Sequence, residues 1–187
     1  MGFSRAELET FRDATVPDLV GPGLRLLFVG INPGLWTAAV QTHFARPGNR
    51  FWPALRLAGI LTRDIDLARG MTEDDRRHLI ERGVGISNLV NRATARADEL
   101  LPTELRAGRL RLAELVRTSQ PQVVAVAGMT AYRTAFAQPK ARAGEQPERL
   151  EGARLWVVPN PSGLNAHDTV ASLATAYAAP ARAAGVL

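Results

Sequence analysis

Two short segments concentrate the residues able to do chemistry. Gly30-Ile31-Asn32-Pro33-Gly34 and Pro159-Asn160-Pro161-Ser162-Gly163-Leu164-Asn165 each set an Asn-Pro pair beside glycine. Proline fixes φ and glycine opens conformations closed to other residues, so each segment reads as a rigid, unusual corner. A rigid corner with free N–H groups holds an anion or a flat polar ring. An asparagine amide both donates and accepts, so it can orient a water or read the edge of a base. One Asn-Pro is an ordinary turn; two at equivalent strand ends of one sheet point to a site. Neither strand end carries a dinucleotide glycine fingerprint or a P-loop.

The corners depend on the elements that carry them. Ser4 and Glu7 form a capping-box pattern for a short first helix, which Pro17 ends. Residues 24–30, 84–90, 123–128 and 154–159 are short apolar runs, the mark of strands buried on both faces. Helical spacing covers residues 50–59, 72–82, 103–118, 129–137 and 168–178, with Pro53 confined to a first turn. The stretch from the first corner to Asn49 reads as a loop, and residues 138–152, polar with Pro and Gly, as a surface loop. Alternating strands and helices predict an α/β fold: three α/β/α layers, with a short, mostly parallel central sheet flanked by helices. A single domain over residues 1–187, with its core at about 23–177, is expected. In such sheets the ligand crevice lies beyond the carboxyl ends of the strands, where both corners fall.

Composition narrows the classes. The 187 residues include no cysteine, which removes disulfides, thiolate metal sites and thiol catalysis. No apolar stretch is long enough for a membrane span. The first 18 residues lack a signal pattern, so a cytoplasmic protein is expected. Net charge is +5, and the basic residues are arginines apart from Lys140. Residues 24–63 hold Arg25, Arg46, Arg50, Arg56 and Arg63 and no acid. That window is either a solvated surface or a patch that neutralises phosphates.

The runs LLFVGINPG, FARPGNRFW (Phe44 to Trp52) and WVVPNPSGL (Trp156 to Leu164), in this order and spacing, resemble the mismatch-specific uracil-DNA glycosylases, relatives of thymine-DNA glycosylase in the uracil-DNA glycosylase superfamily. The resemblance runs from about Gly23 to Tyr177. It implies a base-excision-repair enzyme that flips uracil out of DNA and hydrolyses the N-glycosidic bond. By resemblance, Asn32 positions the attacking water, backbone groups of Ile31 to Gly34 line the base, and Phe44 stacks on the uracil. Asn160 then faces Asn32, Ser162 touches a phosphate, and Gly163-Leu164-Asn165 forms a wedge that fills the vacated stack. Arg50 falls among the expected DNA contacts. The implied partner is double-stranded DNA bearing a mismatched or damaged pyrimidine, with no cofactor, metal or membrane, and a monomer is expected.

Water activation is the open point in the residues. An amide is a very poor base, and residues 24–63 contain no carboxylate. Either the reaction proceeds dissociatively without a base, or a carboxylate comes from another strand end: Asp98, Glu99 or Asp168. Asp168 reads as the cap of the last helix. Asp98, within NRATARADEL, is the preferred candidate, and its loss is expected to slow turnover about tenfold or more. With Lys140 the only lysine, an amine nucleophile is not foreseen and hydrolysis alone is expected. The sequence departs from the resembled pattern at Trp36-Thr37, at Asn88 and at Ala166-His167. Two other readings compete: an α/β N-glycosidase of free nucleosides or nucleotides, which needs neither wedge nor basic window, and a non-catalytic nucleic-acid-binding domain.

Overall fold

The computed structural model describes residues 2–67 and 70–187. Five strands form one sheet: β1 (Leu26–Gly30), β2 (Val84–Asn88), β3 (Val123–Ala127), β4 (Gly144–Leu150) and β5 (Ala153–Val158), in the order β2-β1-β3-β5-β4. Neighbours pair in parallel except β4, which runs antiparallel along β5. The helices are α1 (Arg5–Glu9), α2 (Leu35–Val40), α3 (Phe51–Leu57), α4 (Glu73–Glu81), α5 (Pro102–Ser119), α6 (Met129–Ala135) and α7 (Val170–Ala183).

The two-residue period of the strands builds the layers. Leu26, Phe28, Ile86, Val123 and Ala125 face one side, where Phe51, Leu55, Leu79, Leu173 and Tyr177 of α3, α4 and α7 cover them. Leu27, Val29, Val124, Val126 and Leu155 face the other, under Leu105, Leu112, Val116 and Tyr132 of α5 and α6. Both faces of the central strands are thus sealed, and each such buried leucine or valine contributes about 1.5–3 kcal/mol relative to exposure. No helix among the described residues is long and apolar enough to cross a membrane.

Three expectations need correction. The stretch 138–152 is not all loop: Gly144–Leu150 is an edge strand. Its polar, proline-bearing sequence hides it, and pairing with β5 across a tight Glu151-Gly152 turn creates it. The stretch before Asn49 contains α2, which starts at Gly34 without a side-chain cap and stops at Gln41 in the left-handed region. The last helix begins at Val170 rather than Asp168 and runs on to Ala183, with Thr169 as its cap.

The chain goes from β1 outward to β2, then returns to lay β3 on the other side of β1. A crevice opens where neighbouring crossovers diverge, and the loops that follow β1, β2, β3 and β5 rim it.

Candidate active site

A cleft of about 690 Å³ lies at this rim. That size falls within the range of about 300–1,000 Å³ usual for small-molecule sites. Ile31, Asn32, Gly34, Phe44, Asp98, Asn160, Ser162, Leu164 and Asn165 all border it. Both Asn-Pro corners therefore meet in one space.

The first corner extends β1 past its last strand residue. Leu89 N–H donates to the Gly30 carbonyl, Val90 N–H to Ile31 and Thr94 N–H to Pro33. This zipper fixes Asn32, and the side chain is then oriented by elimination. Asn32 Nδ2 donates to the Arg92 carbonyl and to Thr94 Oγ1, both at 2.8 Å. The Thr94 hydroxyl gives its own proton to the Arg96 carbonyl at 2.7 Å, so it can only accept from Asn32. Both amide protons are spent inward, and Oδ1 is left as an acceptor for the cleft. Thr94, buried and unremarkable in sequence, is the residue that sets this polarity.

The second corner has the opposite sense. Asn160 Oδ1 accepts from Ser162 N–H at 2.9 Å, which leaves the Asn160 amide protons for the cleft. An acceptor and a donor thus border the same space from the two corners.

A third amide lies below them. Asn88, at the end of β2, is buried, with Nδ2 3.1 Å from His43 Nδ1. His43 Nε2 lies 2.9 Å from the Pro17 carbonyl, which can only accept. His43 is therefore the neutral Nε2–H form, and its Nδ1 accepts from Asn88. Burial lowers the His43 pKa, which favours that form. The Asn88 oxygen is then turned toward Gly30, where a Cβ would stand 2.5 Å from it and 3.0 Å from the Phe44 ring. Gly30 is glycine because both side chains need that space. Sequence gives no sign of this role, since the link from His43 to Asn88 spans 45 positions and leaves no local pattern.

Phe44 occupies the left-handed region, φ 56°, rare for a bulky side chain. Its ring stacks on Phe51 at 4.0 Å between centroids and also borders the cleft. It is half core and half wall. Trp36 points away from the cleft, against Phe3 at 5.0 Å, while Thr37 lines it.

The second corner continues as a chain of small side-chain-to-backbone turns. Ser162 Oγ accepts from Leu164 N–H, and Asn165 Oδ1 accepts from His167 N–H. Leu164 is 77% exposed, a large apolar side chain held in water beside the cleft. Gly163 rests on the neighbouring loop, where a Cβ would meet the Gly48 carbonyl oxygen at 2.8 Å.

Several expected roles shift. Asn165 Nδ2 is spent on the Asn160 carbonyl and on Asp168 Oδ2, so this side chain braces the loop instead of reaching outward. Arg50 spends its guanidinium on the chain itself, donating to the carbonyls of Ser162, Asn165 and Asp168. Asp168 is no helix cap, since it joins Asn165 to Ser172 at the start of α7. Asp98 borders the cleft but is paired with Arg96, its side chain 62% exposed. The hydrogen bond from Arg96 holds the Asp98 carboxyl below the usual aspartate range. An exposed, acidified carboxylate is a weak base, so the geometry argues against Asp98 as water activator.

The basic window also dissolves on inspection. Arg25 binds the carbonyls of Gly185 and Arg82. Arg63 pairs with Asp74 and Asp75, and Arg56 with Asp64. Arg46 is the member of the window that borders the cleft with its side chain exposed. Asn49 beside it uses Oδ1 to accept from Phe51 N–H, which starts α3.

Comparison with known proteins agrees with this architecture. A family model described as Uracil DNA glycosylase superfamily matches residues 17–179. A solution NMR structure from Methanosarcina acetivorans, assigned as a candidate uracil DNA glycosylase, superposes with a TM-score of 0.58 at 14% identity. The match covers 90% of this chain and 96% of that one.

Proposed function

The chain belongs to the uracil DNA glycosylase superfamily, and from that premise we propose that it is a monofunctional DNA glycosylase of the mismatch-specific kind. It extrudes uracil, and related mispaired pyrimidines, from duplex DNA and hydrolyses the N-glycosidic bond. The observation that carries this reading is the convergence of two Asn-Pro corners of opposite hydrogen-bonding sense on one cleft beside an exposed leucine.

Each part has work to do on an extruded nucleotide. Leu164 enters the duplex and replaces the stacking of the departing base, whose opening costs a few kcal/mol. A mispaired base has less pairing to lose, which favours mismatches. The base stacks on the free face of Phe44, between the backbone of Ile31 to Gly34 and Asn160. As the C1′–N bond breaks, its electron pair moves onto the base, leaving a uracil anion and an oxocarbenium-like sugar. Asn160 Nδ2 and backbone N–H groups stabilise that anion; loss of one such donor costs about 3 kcal/mol. A water held by Asn32 Oδ1 adds to C1′, and its proton passes to solvent or to the departing base. With no well-placed carboxylate among the described residues that border the cleft, the dissociative route without a general base is favoured. On this reading Ser162 touches a phosphate of the bent strand.

The direct test is base release from end-labelled duplexes bearing U·G, U·A and T·G pairs, with wild type and Asn32→Ala. Release from U·G, lost in the variant, is expected. No release from any duplex would end the reading. Release from free deoxyuridine alone would favour the nucleoside-hydrolase alternative.

A further inference from the structure

We propose that Arg50 is a positioning residue for the Leu164 wedge: it ties the loop that inserts into DNA to the wall that receives the extruded base. The inference deepens the glycosylase reading and rests on it for the meaning of the wedge.

The argument starts from how the loop is held. No residue from Ser162 to Thr169 is buried, so this segment has no apolar anchor. Segments lacking such anchors sit at the low end of local stability. Something else must keep Leu164 in place, because misplacement by about 1 Å at a reacting site can cost about a hundredfold in rate.

Arg50 supplies that hold. Its main-chain N–H donates to the Pro161 carbonyl at 3.0 Å. Its guanidinium donates to Ser162 before the wedge and to Asn165 and Asp168 after it. A planar fork can span three carbonyls at once, whereas an ammonium is a point charge with no fixed fork. Arg50 is anchored in turn: it caps α3, whose next two residues, Phe51 and Trp52, are buried in the core. Phe51 carries Phe44 on its ring. One residue therefore links the aromatic wall to the inserting loop, and the contact of Gly163 with Gly48 is a second point of the same junction.

Stability alone does not account for this arrangement. Arg50 forms no ion pair among the described residues, and its Nε is buried without a partner. A half-buried guanidinium spent on carbonyls, with no carboxylate beside it, is a costly way to close a surface loop. It is a reasonable way to hold an exposed leucine in register while leaving positive charge beside the DNA path.

The test is a double-mutant cycle with an independent structural readout. Arg50→Lys and Gly163→Ala are each combined with Leu164→Ala, and kcat/KM is measured on a U·G duplex. Each single variant is expected to fall about tenfold, within the range for coupled neighbours. Neither is expected to fall further in the Leu164→Ala background, because both act through that leucine. Amide hydrogen exchange across residues 163–167 should quicken in Arg50→Lys and in Gly163→Ala while thermal unfolding stays close to wild type. Additive losses, or unchanged exchange in the loop, would overturn the proposal. Wild type that releases no base would sink the glycosylase reading instead, and the exchange data would still judge the brace. Should Arg50→Lys fail to fold, Arg50→Gln, which keeps a planar donor at the same place without the full fork, takes its position in the cycle and in the exchange measurement.

Discussion

After β1, the Asn-Pro corner is held by main chain: Gly30, Ile31 and Pro33 each accept from the segment that follows β2. After β5, the same dipeptide has one main-chain tie, from Arg50 N–H to Pro161, and is otherwise held by side chains: Asn160, Ser162, Asn165 and Arg50 each reach for backbone. The first corner is pinned to the sheet; the second begins from an equally buried Asn-Pro but runs out, fastened at points, to exposed Gly163 and Leu164. On the proposed reading, the contrast suits two tasks. A water must be aimed to within fractions of an ångström, which a backbone zipper ensures. A DNA-handling loop must stay in register yet remain accessible to a large partner, and point tethers such as Arg50 do the first without burying it.

This contrast can be broken or sharpened by experiment. The largest effect is expected at the rigid corner, where Asn32→Ala should lower kcat by about 10²–10³-fold with the fold intact, the size found for a lost, preorganised polar contact. Thr94→Val tests the rigidity itself: it keeps the shape but removes the hydroxyl that orients the Asn32 amide. A fall of about tenfold in kcat with little change in KM is expected. If Thr94→Val equals wild type in steady-state kinetics, the orientation argument fails.

A smaller effect belongs to the binding side. Arg46→Ala should weaken DNA binding alike for matched and mismatched duplexes, and reduce the salt slope by about 1. A loss confined to one mismatch would mean that Arg46 reads a base.

The pH dependence of stability bears on the floor beneath both corners. Burial puts the folded His43 pKa below its ordinary value of 6.5, so the unfolded chain takes up the proton first as pH falls. The stability from this site is fully present above about pH 6.5 and declines as pH drops toward the folded pKa. Urea midpoints measured at about pH 7.5 and about pH 5.5 should fall more for wild type than for His43→Gln. Equal falls would show that other groups carry the acid sensitivity. The smallest change is expected at Asp98, an exposed ion pair: Asp98→Asn should alter kcat by less than about twofold. A loss of tenfold or more would restore it as the base.

How much of this was legible depends on the range of the contacts. The central strands announced themselves, since five-residue apolar runs such as Val123–Ala127 have no other soluble use than burial on both faces. The two corners were visible because rigid backbone is written in glycine and proline. β4 was not, because its residues are polar and only pairing with β5 makes it a strand. Arg50 carried a misleading label: as a charge in an acid-free window it looked like a phosphate contact, whereas its partners lie 112 to 118 residues away. Asp98 erred in the opposite direction, for Arg96, two residues back, already marked it as a surface pair. Charge counts register only that an arginine exists; the fold decides whether it faces solvent or its own backbone.

The edge strand has a bearing on how copies of the chain meet. β4 carries Pro147, which offers no N–H, and its register with β5 breaks between Glu145 and Arg149. Glu145, Glu148 and Arg149 stud the same seven residues. An edge so interrupted denies an incoming chain the continuous ladder that sheet-to-sheet accretion requires. Copies of the chain at high concentration are thereby kept from adding strand to strand along this edge.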